Sequence, residues 1–460
     1  MGNPPIAWRD ITKITGGVVR VPTADPSDGV AELCAALVRI DTTNRASGDA
    51  EGEREAAELV ASVLADEVGV EPRVLESAPR RANVVARVPG EDPALPALLV
   101  HAHLDVVPAD PAGWSVPPFS GEVRDGYVWG RGSVDMKDMC ATVLSALRSW
   151  RSRGTAPRRD LVLAFVADEE TGGEYGAGWL VDEHPELFAN CGAGIGEGGG
   201  YGLGVDGVRL YPVGTAERGT MHLRLTASGR AGHGSRPNAD NAVVALVAAL
   251  ARIAAHRWPV RLTPTVREYL VRTGEALDVP VDLGSDAAVD ATVARLGGAG
   301  ALAAAVVRPS TTPTVLSAGS AVNVIPSTAE ALVDTRVLPG GTEEVLAAVD
   351  ELLGPDVRRE FLTYGEPVQA PFDAPWFAAM TAALRAEDPD AVVVPYCLGG
   401  GTDAKAFSTL GIPCYGFGPL GLSTDDGYDH RAMAHGVDER VPVAALEFGA
   451  RVLDRFLREV

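Results

Sequence analysis

Across its first two hundred residues the chain alternates helical and strand periodicities, which restricts it to folds in which helices cover both faces of a mostly parallel sheet. Amphipathic spacing predicts helices over Asp28–Ile40, Glu51–Val68 and Met139–Arg151, and apolar runs predict strands over Asn83–Val88, Ala97–Val107 and Leu161–Ala167. From about Gly214 the order changes to strand, helix, strand, strand, helix, strand: Thr220–Ala227, Asn241–Ala255, Thr314–Ala318, Thr328–Val337, Thr342–Leu353 and Val357–Tyr364. That is the order of a small ferredoxin-like α+β unit. Between its first helix and second strand, an Ala- and Gly-rich stretch over 258–310 reads as a helical insertion. The α/β pattern returns after Gln369, with elements expected at Trp376–Ala386, Val392–Tyr396, Asp403–Leu410 and Val443–Leu457. The expected organisation is an α/β domain in two parts, 1–213 and 366–460, split by a smaller domain over 214–365.

Charge limits the partners. Forty basic residues against 62 acidic ones give a formal charge of -22, which repels phosphate backbones and anionic headgroups, so neither nucleic acid nor membrane is expected. Hydrophobic residues make up 46% of 460, enough for two or three buried cores. The cysteines, Cys34, Cys140, Cys191, Cys397 and Cys414, are odd in number and lack CxxC spacing, which points to reduced thiols serving as small buried residues. The N-terminus has no basic segment followed by an apolar one, and Ile6 stands where a myristoylated Gly2 would want Ser or Thr. No run reaches the length of a membrane span, and a cytoplasmic protein is expected.

The chemistry gathers where strands end. His103 closes an apolar run, and Asp105, two residues on, has the strand spacing to orient its imidazole as a carboxylate orients a metal-binding histidine. Asp135 follows the Gly130-Arg131-Gly132 turn, Glu169 and Glu170 follow the run ending at Asp168, and Glu197 lies between two glycines. The carboxyl ends of strands in an open α/β sheet line its ligand crevice. Carboxylates clustered there resist joint ionisation unless cations sit among them. Asp135, Glu170, Glu197 and one hydroxide balance two divalent ions, leaving His103 and one further histidine as neutral ligands. Such mixed nitrogen and oxygen donors suit zinc, with cobalt or manganese as alternatives. His430 and His435 both follow the last predicted strand, and spacing does not choose between them.

Two local patterns mislead. Gly194–Gly199 matches G-x-G-x-x-G, but no helix follows it. Gly232-His233-Gly234-Ser235 is close to a nucleophile elbow, yet Pro237 stands where that motif needs glycine.

From Asp28 to the C-terminus the chain resembles the M20 family of metallopeptidases and deacylases, which includes aminoacylase-1, acetylornithine deacetylase, succinyl-diaminopimelate desuccinylase and glutamate carboxypeptidase. The resemblance rests on His103-Leu104-Asp105-Val106-Val107-Pro108, Gly130-Arg131-Gly132 leading to Asp135-Met136-Lys137, Asp168-Glu169-Glu170, Gly232-His233-Gly234-Ser235, Asn323-Val324-Ile325-Pro326, Gly400-Gly401-Thr402-Asp403, and His435 ahead of Glu439. It implies a zinc-exopeptidase-like α/β catalytic domain with an inserted ferredoxin-like lid that forms a homodimer. It also implies that His103 and Glu197 hold one zinc, Glu170 and His435 the other, and Asp135 bridges them. Glu169 is then the general base and later acid. His233 stabilises the oxyanion, commonly from the partner subunit, and Asn323, Arg336 and Gly400, Gly401 and Thr402 hold the substrate's carboxylate. The expected reaction is hydrolysis of an amide next to a free carboxylate, in an N-acyl amino acid or a small peptide. Glu197 leans against the family's aminopeptidases, where aspartate is usual. A protein that only binds metal or an amino acid is the reading from another class, and the presence of Glu169 argues against it.

Overall fold

The computed structural model describes residues 24–45, 51–422 and 428–460. The N-terminal segment on which the leader and myristoylation readings rest lies outside them. The chain forms two compact units: the first runs to Val213 and takes in Pro371–Val393 and Ala406–Val460, and the second comprises Gly214–Ala370 and Val394–Lys405. Sequence alone placed all of 366–460 in the first. Residues 394–405 go to the second because Thr402 is bound to Glu217 there, its backbone N–H at 3.0 Å and its hydroxyl at 2.6 Å from the carboxylate.

In the first unit the strands lie in the order Arg73–Ala78, Arg81–Val88, Leu161–Val166, Ala97–His103, Cys191–Gly196 and Cys414–Gly416. The last four are mutually parallel, whereas Arg81–Val88 runs antiparallel both to its outer neighbour and to Leu161–Val166. The sheet is therefore mixed, and parallel only at its centre. Leu161–Val166 and Ala97–His103 are buried along their whole length, as strands covered on both faces must be. Helix Lys137–Arg153 ends at Gly154, whose positive φ of 64° closes the last turn, and Arg151 and Arg153 sit at the negative end of its dipole.

Two predicted elements are shorter than their patterns. Strand Ala97–His103 stops at His103 because the chain then turns to dock on Thr42–Asn44: the Asn44 N–H donates to the Val106 carbonyl at 2.9 Å, and the Thr42 hydroxyl to that of Leu104 at 2.7 Å. The expected Glu51–Val68 helix is α-helical over Arg54–Ser62 and widens into a π turn over Val63–Val68.

The second unit carries a four-stranded antiparallel sheet in the order Ser310–Ala318, Thr328–Val337, Gly219–Ser228 and Val357–Gly365. Met221, Leu223, Leu225 and Ala227 alternate along the third of these into a core shared with helices Ala242–Ala255 and Thr342–Leu353. Asn241 caps the first helix by accepting from the Val243 and Val244 N–H groups. Residues 258–310 are helical as expected, over Pro264–Ala276, Asp286–Arg295 and Gly297–Ala304. None of the five cysteines forms a disulfide among the described residues, and none is exposed. Among the described residues, no helix is long and apolar enough to cross a membrane.

Candidate metal centre

Every predicted metal ligand lies in the first unit: His103, Glu170 and Glu197 at or just beyond the ends of central strands, Asp135 in the turn before helix Lys137–Arg153, and His435 just after the short helix His430–Met433. His103, at the carboxyl end of its strand, is fully buried, and its Nδ1 lies 3.0 Å from the backbone carbonyl of Asp105. A carbonyl only accepts, so Nδ1 carries the hydrogen and the Nε2 lone pair points outward. That lone pair faces Asp135 Oδ1 at 3.0 Å and Glu197 Oε2 at 3.8 Å. The other Asp135 oxygen, Oδ2, lies 3.2 Å from His435 Nε2, which is 3.1 Å from Glu170 Oε2. Asp135 thus sits between two groups of donors, His103 with Glu197 and His435 with Glu170, and within each group, counting Asp135, the donor atoms lie within 4.8 Å of one another.

A neutral histidine nitrogen facing carboxylate oxygens sets acceptor against acceptor, an arrangement that calls for a cation between them. In the metal-free protein that cation is a proton. Burial would depress the pKa of His103, but its contacts with Asp105, Asp135 and Glu197 outweigh burial and hold it well above the ordinary value. Hydrogen bonds to Asp135 and Glu170 push His435 up to about 10. Burial pushes Glu197 up to about 7, against the opposing pull of His103. For Asp135 burial works upward too, yet His103 and His435 overcome it and leave the carboxyl well below its usual range. The donor set fits two divalent ions that replace these protons, because two imidazole nitrogens and three carboxylates match borderline metals such as zinc.

The structure gives Asp105 a wider part than its sequence spacing suggests. Its backbone carbonyl makes the close contact with His103, and its carboxylate stands at 3.5 Å from the ring. That carboxylate accepts instead from the Glu169 and Glu170 N–H groups at 3.1 and 3.2 Å, and so pins the loop that follows Leu161–Val166. Glu169 is half-buried at the start of that loop's single 3-10 turn.

Of the two candidate histidines after the last strand, His435 joins the cluster, from a left-handed backbone position with φ 60°. His430 is turned away against Tyr201, with ring centres 4.6 Å apart, and burial drives its pKa down to about 4. His101 packs on Phe407 at 5.1 Å, outside the cluster.

In the second unit, His233 and Asn323 come together where Gly232–His233 pairs with Val324–Ile325, the Gly234 N–H donating to the Asn323 carbonyl at 2.8 Å. The Ser235 N–H donates to His233 Nδ1 at 3.2 Å, which leaves the hydrogen on Nε2. Arg336 is already engaged: Asp334 accepts from its Nε at 2.7 Å and its Nη2 at 3.3 Å, and the Thr220 hydroxyl from its Nη1 at 2.8 Å. Gly400 has open space beside it, while Gly401 lies against the Lys405 side chain.

Sequence reasoning missed the groups that brace these ligands. Glu439, fully buried, accepts from the N–H groups of Gly132, Val134 and Asp135 at 3.0, 2.8 and 3.3 Å and pairs with Arg131, fixing the turn that presents Asp135. Asn44, Arg81 and Asp168 form a second buried network behind Glu169. Glu439, four residues after His435, and Asp168, just before Glu169, both stood in the motifs quoted from the sequence, without a role attached to either.

Fold and donor set together are those of a metal-dependent hydrolase. Residues 99–459 match the sequence model of Peptidase family M20/M25/M40, and the chain belongs to that family. It is 30% identical to the N-fatty-acyl-amino acid synthase/hydrolase PM20D1 of Homo sapiens over 377 residues, covering 78% of this chain and 73% of that protein. It is 29% identical to aminoacylase-1 of Mus musculus over 379 residues, covering 81% of this chain and 83% of the other. Among solved structures, an M20 family metallo-carboxypeptidase from Sulfolobus solfataricus superposes with a TM-score of 0.71 at 18% identity, covering 94% of this chain and 99% of that one.

Proposed function

We propose that the protein is a dinuclear zinc hydrolase that cleaves the amide bond of an N-acyl amino acid or small peptide bearing a free carboxylate. The observation that carries this reading is Asp135, one oxygen 3.0 Å from His103 and the other 3.2 Å from His435, with Glu197 and Glu170 beside them. His103 and Glu197 would hold one ion, His435 and Glu170 the other, and Asp135 both. When bound, such a pair polarises an amide carbonyl and brings the pKa of a water toward neutrality. Glu169 takes the water's proton on its carboxylate and returns it to the departing amine nitrogen. The Nε2–H of the partner subunit's His233 donates to the developing oxyanion. Asn323, Arg336 and the loop of Gly400, Gly401 and Thr402 hold the substrate's carboxylate, Arg336 by exchanging Asp334 for it. The substrate class follows the names of the relatives, an N-fatty-acyl-amino acid synthase/hydrolase and an aminoacylase.

We assign a homodimer to the second unit. Its edge strand Ser310–Ala318 exposes Val315 and Leu316, and helix Ala242–Ala255 exposes Val244 and Val247. An open apolar edge of this kind is covered by a copy of itself in a two-fold dimer. A cytoplasmic location accords with cysteines that form no disulfide among the described residues.

The test of mechanism is Glu169→Gln, assayed on N-acyl amino acids with zinc, cobalt or manganese added. The expected result is a loss of kcat of about 10²–10⁴-fold with metal content unchanged. Near-normal turnover would refute the assignment of Glu169.

A further inference from the structure

We propose that Asn44 is a positioning residue that locks the general-base loop to the histidine side of the metal centre. The proposal rests on the reading of Glu169 as the base. Asn44 is buried, and its side-chain amide lies 3.0 Å from Asp105 Oδ2, 2.9 Å from Asp168 Oδ1 and 2.8 Å from Thr171 Oγ1. The two carboxylates it links flank Glu169 from opposite directions. Asp105 accepts the backbone N–H groups of Glu169 and Glu170, and its carbonyl fixes the His103 ring. Asp168 immediately precedes Glu169 in a left-handed conformation, φ 71°, that sets the direction of the turn.

Asp168 is held from behind by Arg81, whose Nη2 donates to its Oδ1 at 2.8 Å, and by the Tyr175 N–H at 3.0 Å. Glu53 in turn accepts from Arg81 Nε at 3.0 Å. Asn44 Oδ1 faces Arg81 Nη1 at 3.4 Å, so the amide presents its oxygen to the cation and its nitrogen to the anions. Two buried carboxylates close to one another repel, and a neutral amide donor joins them without adding charge. Its own backbone is fixed by the Val106 carbonyl, just beyond Asp105. Among the described residues, the Asn44 side chain donates to both the carboxylate behind His103 and the carboxylate before Glu169. A displacement of about an ångström at a reacting group is enough to lower turnover steeply.

Asn44→Asp removes both donors and adds a third carboxylate, and Asn44→Ser supplies a milder variant if the first does not fold. Expected in the metal-loaded enzyme is a fall in kcat of about ten- to hundredfold with KM and metal content near wild type. Amide hydrogen exchange of the metal-free protein should show faster exchange at Glu169 and Glu170 in the variant. A lower melting temperature with kcat per folded molecule within about threefold of wild type would reduce Asn44 to a structural residue and overturn the proposal. So would unchanged exchange at Glu169 and Glu170. A wild-type protein that hydrolyses none of the substrates would remove the reading of Glu169 as base, while the exchange measurement still decides whether Asn44 holds the loop.

Discussion

At the scale of single residues, the protonation of His103 and His435 makes metal binding a competition. His435 is held protonated to about pH 10 in the metal-free protein, against an ordinary histidine value of 6.5. Because the folded-state pKa is raised, the stabilisation this proton brings is fully present below about pH 6.5 and disappears as pH rises through about 10. A metal ion must displace the proton, so zinc affinity should rise by about tenfold per pH unit for each proton released in that window. Chelator competition at pH 6.5 and 8.5 measures the slope, and an affinity independent of pH would refute the protonated state of the free site. The candidate ligands could be named from the sequence, because carboxylates and a histidine after strands and tight turns have little other reason to recur. Spacing did not choose His435 over His430, since both follow the same strand, and only the family resemblance pointed to His435. The choice depends on a left-handed turn at His435 and on the burial of His430 against Tyr201, neither of which spacing encodes.

At the scale of elements, long apolar runs fixed the central strands and helices, and errors gathered at their ends. Strand Ala97–His103 is shorter than its pattern because Leu104–Val106 satisfies its backbone on Thr42–Asn44, sixty residues away in sequence, beyond the reach of local periodicity. The short strands Glu122–Arg124 and Tyr127–Trp129 carry too few residues for periodicity to register. The bracing role of Glu439 was missed for a related reason, since besides Arg131 its partners are backbone N–H groups that no side-chain motif reveals. Glu439→Ala would leave Arg131 buried without its partner and free three N–H groups of the Asp135 turn. The expected loss is about 3–5 kcal/mol of stability by denaturant unfolding, accompanied by weaker metal binding. A variant as stable as wild type would contradict this account of the turn.

At the scale of the whole molecule, the alternation of periodicities revealed both units, and what it missed was the return of residues 394–405 to the second. The Glu217 carboxylate holding Thr402 and the Arg218 N–H donating to the Leu398 carbonyl at 3.1 Å tie that stretch to the second unit. The proposed dimer predicts twice the chain mass by light scattering, and Leu316→Asp, which places a charge on the exposed edge strand, should yield a monomer. A wild-type monomer would remove the support for a partner-supplied His233. The central claim is that Asp135 is shared by two ions, and the most direct measurement is zinc titration of the metal-free protein with metal analysis of wild type and Asp135→Ala. The account predicts two zinc ions per chain in wild type, with loss of both sites' affinity in the variant; one zinc per chain in wild type, or two retained in Asp135→Ala, would contradict it.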